Sequence, residues 1–317
     1  MKRVTLYIGM MAASLAATSC SDSWLDLNPS TSVTTDQALS TLTDIETALN
    51  GVYRETSLHS YYGDNYWYYG DCRAMDVQAR VTKGDGRRVS PYYEYNVQAT
   101  DNLNITLPWQ QPYIVIRQAN NILQRIEEGG IEGAADEDLA SIKAVALFNL
   151  TRFFGMPYMY DNGASLGVPI VTSPTDPTSA PARNTVAECY GQVVADFTEA
   201  LPDLTREKAD GYVNYWAAQA LLSRVYLDMG EYQAAWDAAT DVIENNGGLY
   251  HLYTQSEYAA VWGQDFQSES LFELYITMTE PAGGTGGEGA PMVYANEATF
   301  DWNNLILTED YLDLLEQ

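Results

Sequence analysis

The sequence predicts a mainly α-helical fold in which helix pairs alternate with long irregular loops. Apolar residues recur at steps of three and four over several segments, and helix-capping patterns precede some of them. Stretches rich in glycine, proline or tyrosine separate these segments. The spacing of the apolar residues places them on one face of each helix, so the helices can pack against one another and bury a common core.

Three helices are predicted in the first half of the chain, at Thr34–Arg54, Pro108–Glu128 and Asp136–Phe154. Thr34 and Gln37 have the spacing of a capping box at the start of the first helix. The second helix is followed by Gly129 and Gly130, which permit the backbone to leave the helix.

A fourth helix follows Thr185 and Glu188, which form another capping-box pattern. Cys189 lies on its apolar face and is interpreted as a small core residue. Two further helices, Asn214–Met229 and Glu231–Asn245, are predicted to form a hairpin of the tetratricopeptide type. In this motif Gly230 permits the tight turn, Tyr232 fills the space behind it, and Ala235 allows close helix approach. An array of such repeats with a period of about 34 residues is not visible.

Three long loops separate the helices, at residues 57–107, 161–183 and 280–291. The first is rich in Tyr, Gly and Asp, the second in Pro, Ser and Thr, and the third in Gly. Loops of this length inside a compact domain are uncommon and usually functional, so a binding site is expected there.

The N-terminus reads as an export signal. Lys2 and Arg3 precede a mostly apolar run that ends at Ala17 and is too short to span a bilayer. The trio Ala17-Thr18-Ser19 followed by Cys20 resembles the lipobox of bacterial lipoproteins. That resemblance implies removal of residues 1–19 and lipidation of Cys20, which would hold the protein at a membrane. Ser21-Asp22-Ser23 resembles the acidic cluster that marks some of these lipoproteins for export, which would anchor the chain to outer-membrane lipid. An ordinary signal peptide with an incidental cysteine is the alternative.

Composition excludes several classes of function. The net charge of −27 is incompatible with nucleic acid as a partner and argues against direct binding to anionic lipid headgroups. Besides Cys20, only Cys72 and Cys189 are present, which is too few for a disulfide framework, and no zinc-ligand spacing occurs. No cofactor or zinc site is therefore expected, and these patterns do not decide whether calcium binds. Tyrosine is abundant, with 24 residues, and its flat face and hydroxyl suit recognition surfaces.

Two catalytic motifs occur in the wrong context. Gly163-Ala-Ser165-Leu-Gly167 has the pattern of a nucleophile elbow, but it lacks the required strand before the serine and helix after it. Gly284–Gly289 has a dinucleotide-binding pattern, but Pro291 opposes the helix that should follow. Glycoside hydrolysis needs two positioned carboxylates, and nothing singles out a pair among 43 acidic residues. Enzymatic function is therefore the minority hypothesis.

Two aromatic clusters are candidate binding surfaces for carbohydrate, because aromatic faces can stack on sugars while neighbouring polar groups meet the hydroxyls. The alternative is that these aromatics only anchor a long loop. That alternative is favoured for the first cluster and equally weighted for the second, where Tyr92→Ala or Tyr93→Ala is expected to weaken glycan binding without unfolding. The first cluster is Tyr61, Tyr62, Tyr66, Trp67, Tyr68 and Tyr69, and the second is Tyr92, Tyr93 and Tyr95 beside Arg87, Arg88 and Asn96.

Several motifs together resemble the SusD/RagB family of outer-membrane nutrient-binding lipoproteins. Trp24-Leu25-Asp26 after Cys20 is similar to the opening of that family, and later stretches follow in family order. These stretches are residues 69–76, 109–123, 143–157, 167–170, 183–201 and 269–274.

The resemblance implies a helical SusD-like fold over residues 20–317, on the outer face of the outer membrane. It also implies a lid that captures oligosaccharide for a SusC-type TonB-dependent transporter, without catalysis. Family members are usually longer, so C-terminal helices are expected to be missing. Loops near the end of the chain also contact glycans in the family, which adds Trp262, Tyr294 and Trp302 as candidates. A helical scaffold for protein contacts is the alternative.

Overall fold

The computed structural model describes residues 35–63, 65–74, 77–79, 89–134, 136–176, 178–276 and 305–315. The chain divides into two units, residues 1–40 and 41–317. In the first unit the short helix α1 spans Thr35–Ala38. Thr34 and the predicted leader and lipidation site lie outside the described residues.

The second unit is built from helices, with one small sheet. Strand β1 (Val77–Ala79) pairs antiparallel with β2 (Leu305–Leu307), and Val77 lies opposite Leu307. Two π-helical turns, His59–Gly63 and Asn102–Thr106, precede α3 and α5. The helices are α2 (Leu42–Thr56), α3 (Asn65–Ala74), α4 (Ser90–Tyr93), α5 (Leu107–Glu127), α6 (Glu137–Phe154), α7 (Tyr158–Asp161), α8 (Val186–Ala200), α9 (Tyr215–Met229), α10 (Tyr232–Asn245), α11 (Gln255–Val261) and α12 (Glu309–Leu315).

Helix α6 lies at the centre, packed between α5 and α8. All eleven residues from Ser141 to Thr151 are buried, so this helix is enclosed around its whole circumference. Its one buried cation, Lys143, pairs with Asp196 of α8 at 3.2 Å. Gln192 also donates to the Asp196 carboxylate, at 2.9 Å. A buried charge is tolerated only when it is paired in this way.

Capping residues decide where the helices begin. The prediction of one helix over Thr34–Arg54 was wrong, because Thr41 caps α2 and forms the capping box with Asp44. The Thr185 and Glu188 capping box at the start of α8 is confirmed. Cys189 is buried on the inner face of that helix, as predicted.

The α9–α10 hairpin has the predicted geometry at its turn. Asn214 caps α9 through its side chain, which accepts from the Ala217 amide at 2.9 Å. Gly230 ends that helix with a φ of 78°, a conformation that glycine adopts without strain. Ala235 is buried against the partner helix, as expected. The role predicted for Tyr232 was wrong, since this residue is exposed and does not fill the space behind the turn.

The loop predictions hold in part. Residues 57–107 were expected to be irregular, yet they contain α3 and α4. The stretch 162–184 is irregular as predicted and is fastened to α5: Tyr113 and Asn120 donate to the carbonyls of Pro169 and Val171, at 2.8 and 2.9 Å. The glycine-rich stretch 280–291 lies outside the described residues.

Within the described residues, no helix combines the length and apolar composition that crossing a bilayer requires.

A buried hydrogen-bond network ties α2 to the start of α6 and to the loop before α9. The Tyr53 hydroxyl donates to the Asp138 carboxylate at 3.1 Å and accepts from the Val213 amide at 3.0 Å. Burial raises the pKa of Asp138 to about 6, and the hydrogen bond from Tyr53 only partly opposes this rise. The native state therefore holds a proton on Asp138 over a pH range in which the unfolded chain has lost it.

We expect the stability contributed by neutral Asp138 to be present below pH 4 and lost as the pH rises through about 6. Asp138→Asn keeps the acceptor for Tyr53 but cannot ionise. Relative to wild type, this variant should gain about 2 kcal/mol in unfolding free energy between pH 4 and pH 7. Urea unfolding of both proteins at the two pH values measures this difference. An equal difference at both pH values would contradict the assignment.

Candidate functional site

Helix α3 and the π-helical turn before it form an aromatic wall, made of Tyr61, Tyr62, Tyr66 and Trp67. The rings of Tyr62 and Tyr66 stack with centroids 4.5 Å apart, and Trp67 meets Tyr66 edge-on at 5.2 Å. The indole Nε1 of Trp67 donates to the Tyr62 carbonyl at 2.8 Å, which fixes the orientation of its ring. Trp67 is nevertheless 43% exposed. An oriented, exposed indole face is thereby presented to solvent.

The wall is anchored to the central helix. The Asn149 Nδ2 of α6 donates to the hydroxyl oxygens of Tyr61 and Tyr62, at 2.7 and 3.0 Å. Burial raises the pKa of both tyrosines, so both stay neutral in the physiological range. Asn149 is itself buried, and its amide needs these partners.

A surface cleft of about 540 Å³ opens beside the wall. Tyr95, in the loop after α4, contributes from another side and is 63% exposed. Its hydroxyl donates to the Arg73 carbonyl at 2.7 Å, and its φ of 54° is in the left-handed region. The lining residues are Tyr66, Trp67, Tyr69, Gly70, Asp71, Arg73, Ala74, Tyr95, Arg152, Phe153 and Arg224.

Three arginines line the cleft, and they differ in their contacts. Arg73 lies over the Tyr69 ring, 5.0 Å from its centroid, and donates to the Tyr69 hydroxyl at 2.7 Å. Arg152 forms an ion pair with Asp228 at 2.9 Å. Arg224 is exposed on α9. Among the described lining residues, the one carboxylate is Asp71, so the cleft is more positive than the chain around it.

The structure brings together three of the predicted site residues, Tyr66, Trp67 and Tyr95, on one cleft. Tyr93 is half-buried and packs on the neighbouring core, while Asn96 is exposed but does not line the cleft. The predicted residues Cys20, Arg87, Tyr294 and Trp302 lie outside the described residues.

The prediction that Tyr92 binds sugar is contradicted by its position in the core. It is 1% exposed, its hydroxyl donates to the Asn104 carbonyl at 2.9 Å, and its ring meets Tyr69 edge-on at 4.8 Å. Its face is therefore covered by protein and is not available to a sugar. The expectation that Tyr92→Ala would weaken binding without unfolding does not fit this position.

Trp262 lies on a different surface. It is 77% exposed, meets Tyr258 edge-on at 5.7 Å, and lines a separate cleft of about 450 Å³. Glu273 of that cleft accepts from the Phe266 amide at 2.8 Å, and Glu269 accepts from the Tyr253 amide. These carboxylates hold the local loops together.

Sequence reasoning missed Phe153, Arg152 and Arg224, which complete the aromatic cleft. Phe153 and Arg152 end a helix that was predicted correctly, and Arg224 lies on the repeat hairpin. Nothing in their local sequence marks them as site residues, because only the packing of α6 and α9 brings them beside α3.

Within the described residues, no group of three His, Cys, Asp or Glu side chains is placed to hold a metal ion. The groups that the cleft does present are aromatic faces, guanidinium donors and hydroxyls, which are groups for recognising a ligand.

Fold and cleft together define a mainly helical protein with one tetratricopeptide-like hairpin and an open aromatic cleft. The family model for SusD-like proteins, described as starch-binding and associating with the outer membrane, matches residues 23–227. The chain belongs to this SusD-like family.

Individual relatives agree with the family assignment. A SusD superfamily protein from Bacteroides thetaiotaomicron is 68% identical, with a TM-score of 0.83 over 87% of this chain and 62% of its own. One from Bacteroides vulgatus is 31% identical, with a TM-score of 0.78 over the same shares. SusD-like protein P2 of Formosa agariphila is 27% identical over 83% of this chain.

The chain spans about half the length of that Formosa relative, 50% of it.

We expect Tyr92→Ala to destabilise the protein by about 3–5 kcal/mol, because it removes a buried ring and leaves a cavity. Trp67→Ala, at an exposed position, should change the unfolding free energy by about 1 kcal/mol or less. Urea unfolding followed by circular dichroism compares the two. Equal losses would show that the two aromatics are buried to a similar extent.

Proposed function

We propose that this chain captures an oligosaccharide in the aromatic cleft and delivers it to a SusC-type TonB-dependent transporter, without altering the sugar. The observation that carries this proposal is the exposed, oriented face of Trp67, with Tyr95 on the same cleft. The family description, which names starch and the outer membrane, supports the same class of ligand and the same location.

The chemistry of the cleft fits a sugar ring. One face of a pyranose is lined by C–H groups, which favour an aromatic ring, while its edge carries hydroxyls that need hydrogen-bond partners. Trp67 and Tyr95 offer such rings, and Asp71, Arg73 and Arg224 offer polar groups around them. Because the cleft is open and its aromatic faces are few, weak binding and ready release to a transporter are expected.

A non-catalytic role agrees with the groups present. Glycoside hydrolysis needs two carboxyl groups on either side of the scissile bond, and Asp71 is the one carboxylate among the described residues of the cleft. The Ser165 hydroxyl donates to Asp161 at 2.5 Å in the turn after α7, an interaction that stabilises the turn.

Anchoring through lipid on Cys20 would place this cleft at the membrane surface. Removal of residues 1–19 and lipidation of the new N-terminus follow from the lipobox pattern. The export signal and the family description both support a position on the outer membrane.

A helical scaffold for protein contacts remains the second candidate, and exposed apolar residues on α10 favour it. Trp236 and Ile243 are 69% and 75% exposed. Large apolar side chains close together on a surface often mark a protein interface. This surface is compatible with the capture function as well, because delivery requires a contact with the transporter.

We expect Trp67→Ala to lower the affinity for a bound polysaccharide about tenfold, because the loss of one stacking face is worth roughly 1–2 kcal/mol. Affinity electrophoresis in gels containing soluble starch, a β-1,3-glucan or polygalacturonate measures the effect. Trp236→Ala removes another exposed tryptophan, which does not line the cleft, and is the matched control.

The proposal predicts retardation of the wild type by at least one polysaccharide, with loss in Trp67→Ala alone. No retardation by any polysaccharide, together with co-purification of a transporter that Trp236→Ala abolishes, would favour the scaffold instead. Equal mobility of the two variants in the retarding gel would place the sugar elsewhere.

Cys20→Ala should release the chain from the membrane fraction and leave polysaccharide retardation unchanged, because lipidation and ligand binding involve separate residues. Fractionation of cells, with immunoblotting of the membrane and soluble fractions, checks this. Retention of Cys20→Ala in the outer membrane as firmly as wild type would mean that the transporter contact is the principal anchor.

A further inference from the structure

The cleft concentrates positive charge in a strongly acidic chain. Only 16 of the 317 residues are Lys or Arg, against 43 Asp and Glu, yet three arginines line this one cleft. An arginine that serves the fold is held by contacts with the protein, as Arg183 is by donating to the carbonyls of Phe154, Leu166 and Gly167. The contacts of the three arginines therefore decide whether the cleft keeps charge for a ligand.

Arg152 serves the fold. It forms the ion pair with Asp228 at 2.9 Å and lies over the Phe148 ring, 5.3 Å from the centroid. It also lies in the last turn of α6, where the helix carbonyls favour a cation.

Arg73 is held in place but not neutralised. Its guanidinium lies over Tyr69 and donates to the tyrosine hydroxyl, so one side of the group is occupied. Within the part of the chain that the structure describes, no carboxylate forms an ion pair with it. It also lies in the last turn of α3, so helix electrostatics accounts for part of its placement.

Neither an ion pair with a described residue nor a helix terminus accounts for the position of Arg224. It lies within α9, away from the last turn, is exposed, and forms no ion pair among the described residues. Its charge is felt by Tyr62 of the aromatic wall, whose pKa it lowers against the larger effect of burial. The uncompensated charge of Arg224 therefore lies next to the aromatic wall.

We infer that the cleft selects an anionic saccharide, one whose rings stack on Trp67 while a carboxylate or sulfate group binds Arg224 and Arg73. The planar guanidinium matches both oxyanions through paired N–H donors, and such charge-assisted hydrogen bonds are among the stronger ones. This inference rests on the proposed function, because it assigns a charge to the sugar captured there. Arginine can also donate to neutral hydroxyls, so the charge itself must be tested.

The experiment compares matched ligands by calorimetry on the purified chain. The hexamer of galacturonic acid is measured against its methyl ester, which keeps the sugar but removes the charge. A sulfated galactan oligomer is measured against its unsulfated form, so that carboxylate and sulfate are distinguished. At least one anionic member is expected to bind about tenfold more tightly than its neutral counterpart.

Substitution of single arginines tests which side chain provides the preference for the anionic ligand. Arg224→Gln should remove most of that preference, because glutamine keeps a donor for sugar hydroxyls but loses the charge, so binding of the anionic member should weaken more than binding of its neutral counterpart. Arg117→Gln is the matched control, because Arg117 is also exposed on a helix but does not line the cleft, and both changes alter the net charge equally. Arg224 makes no described ion pair, so its removal should not unfold the chain.

The possible outcomes separate the two proposals. If neutral and charged members bind equally, or if Arg224→Gln behaves as Arg117→Gln does, the anionic selection is wrong while capture of sugar stands. If a neutral glucan binds in a Trp67-dependent way and no anionic oligomer binds, the same conclusion follows. If no saccharide binds the wild type at all, the proposed function itself is overturned.

Discussion

The burial of helix α6 on every side is the constraint on which the rest of this structure depends. Among the buried polar side chains of α6, only the Ser141 hydroxyl lacks a hydrogen-bond partner. The others pair inside the protein, as burial requires. Lys143 does so through Asp196, which joins α6 to α8. Asn149 does so through Tyr61 and Tyr62, which belong to the segment that leads into α3. The polar requirements of the core thus set the position of the aromatic wall, and Trp67 is oriented in turn by its bond to the Tyr62 carbonyl.

The helices themselves could largely be predicted from the sequence, because their determinants are local. Helices α5, α6 and α8 follow from apolar spacing, and the Thr185–Glu188 capping box marks the start of α8 correctly. The start of α2 was misplaced because Thr34 with Gln37 and Thr41 with Asp44 both have the spacing of a capping box. Only the structure shows that the second pair forms it. Local patterns identify a helix well but choose poorly between two nearby caps.

The candidate site was only partly predictable, for a reason that Tyr92 and Tyr95 illustrate. They lie three residues apart in the same stretch of sequence, yet Tyr92 packs into the core and Tyr95 is exposed on the cleft. Helix α4 has four residues, too few for an apolar period to reveal which side faces inward. The backbone then takes a left-handed conformation at Tyr95, and no neighbouring glycine indicates this in the sequence. Arg152 and Arg224 were missed because tertiary packing alone brings them to the cleft.

The cleft is formed by four segments that are distant from one another in the sequence. Its lining comes from α3, the loop after α4, the end of α6 and the middle of α9, and no one of these segments could form it alone. The wall is hydrogen-bonded to the core and Tyr95 is bonded to the Arg73 backbone, so a ligand need not order these side chains on binding. A rigid site can combine modest affinity with discrimination, because the ligand must fit groups already in place. In a chain of net charge −27, a rigid site in which Arg73 and Arg224 form no ion pair with a described residue would discriminate by charge as well as by shape.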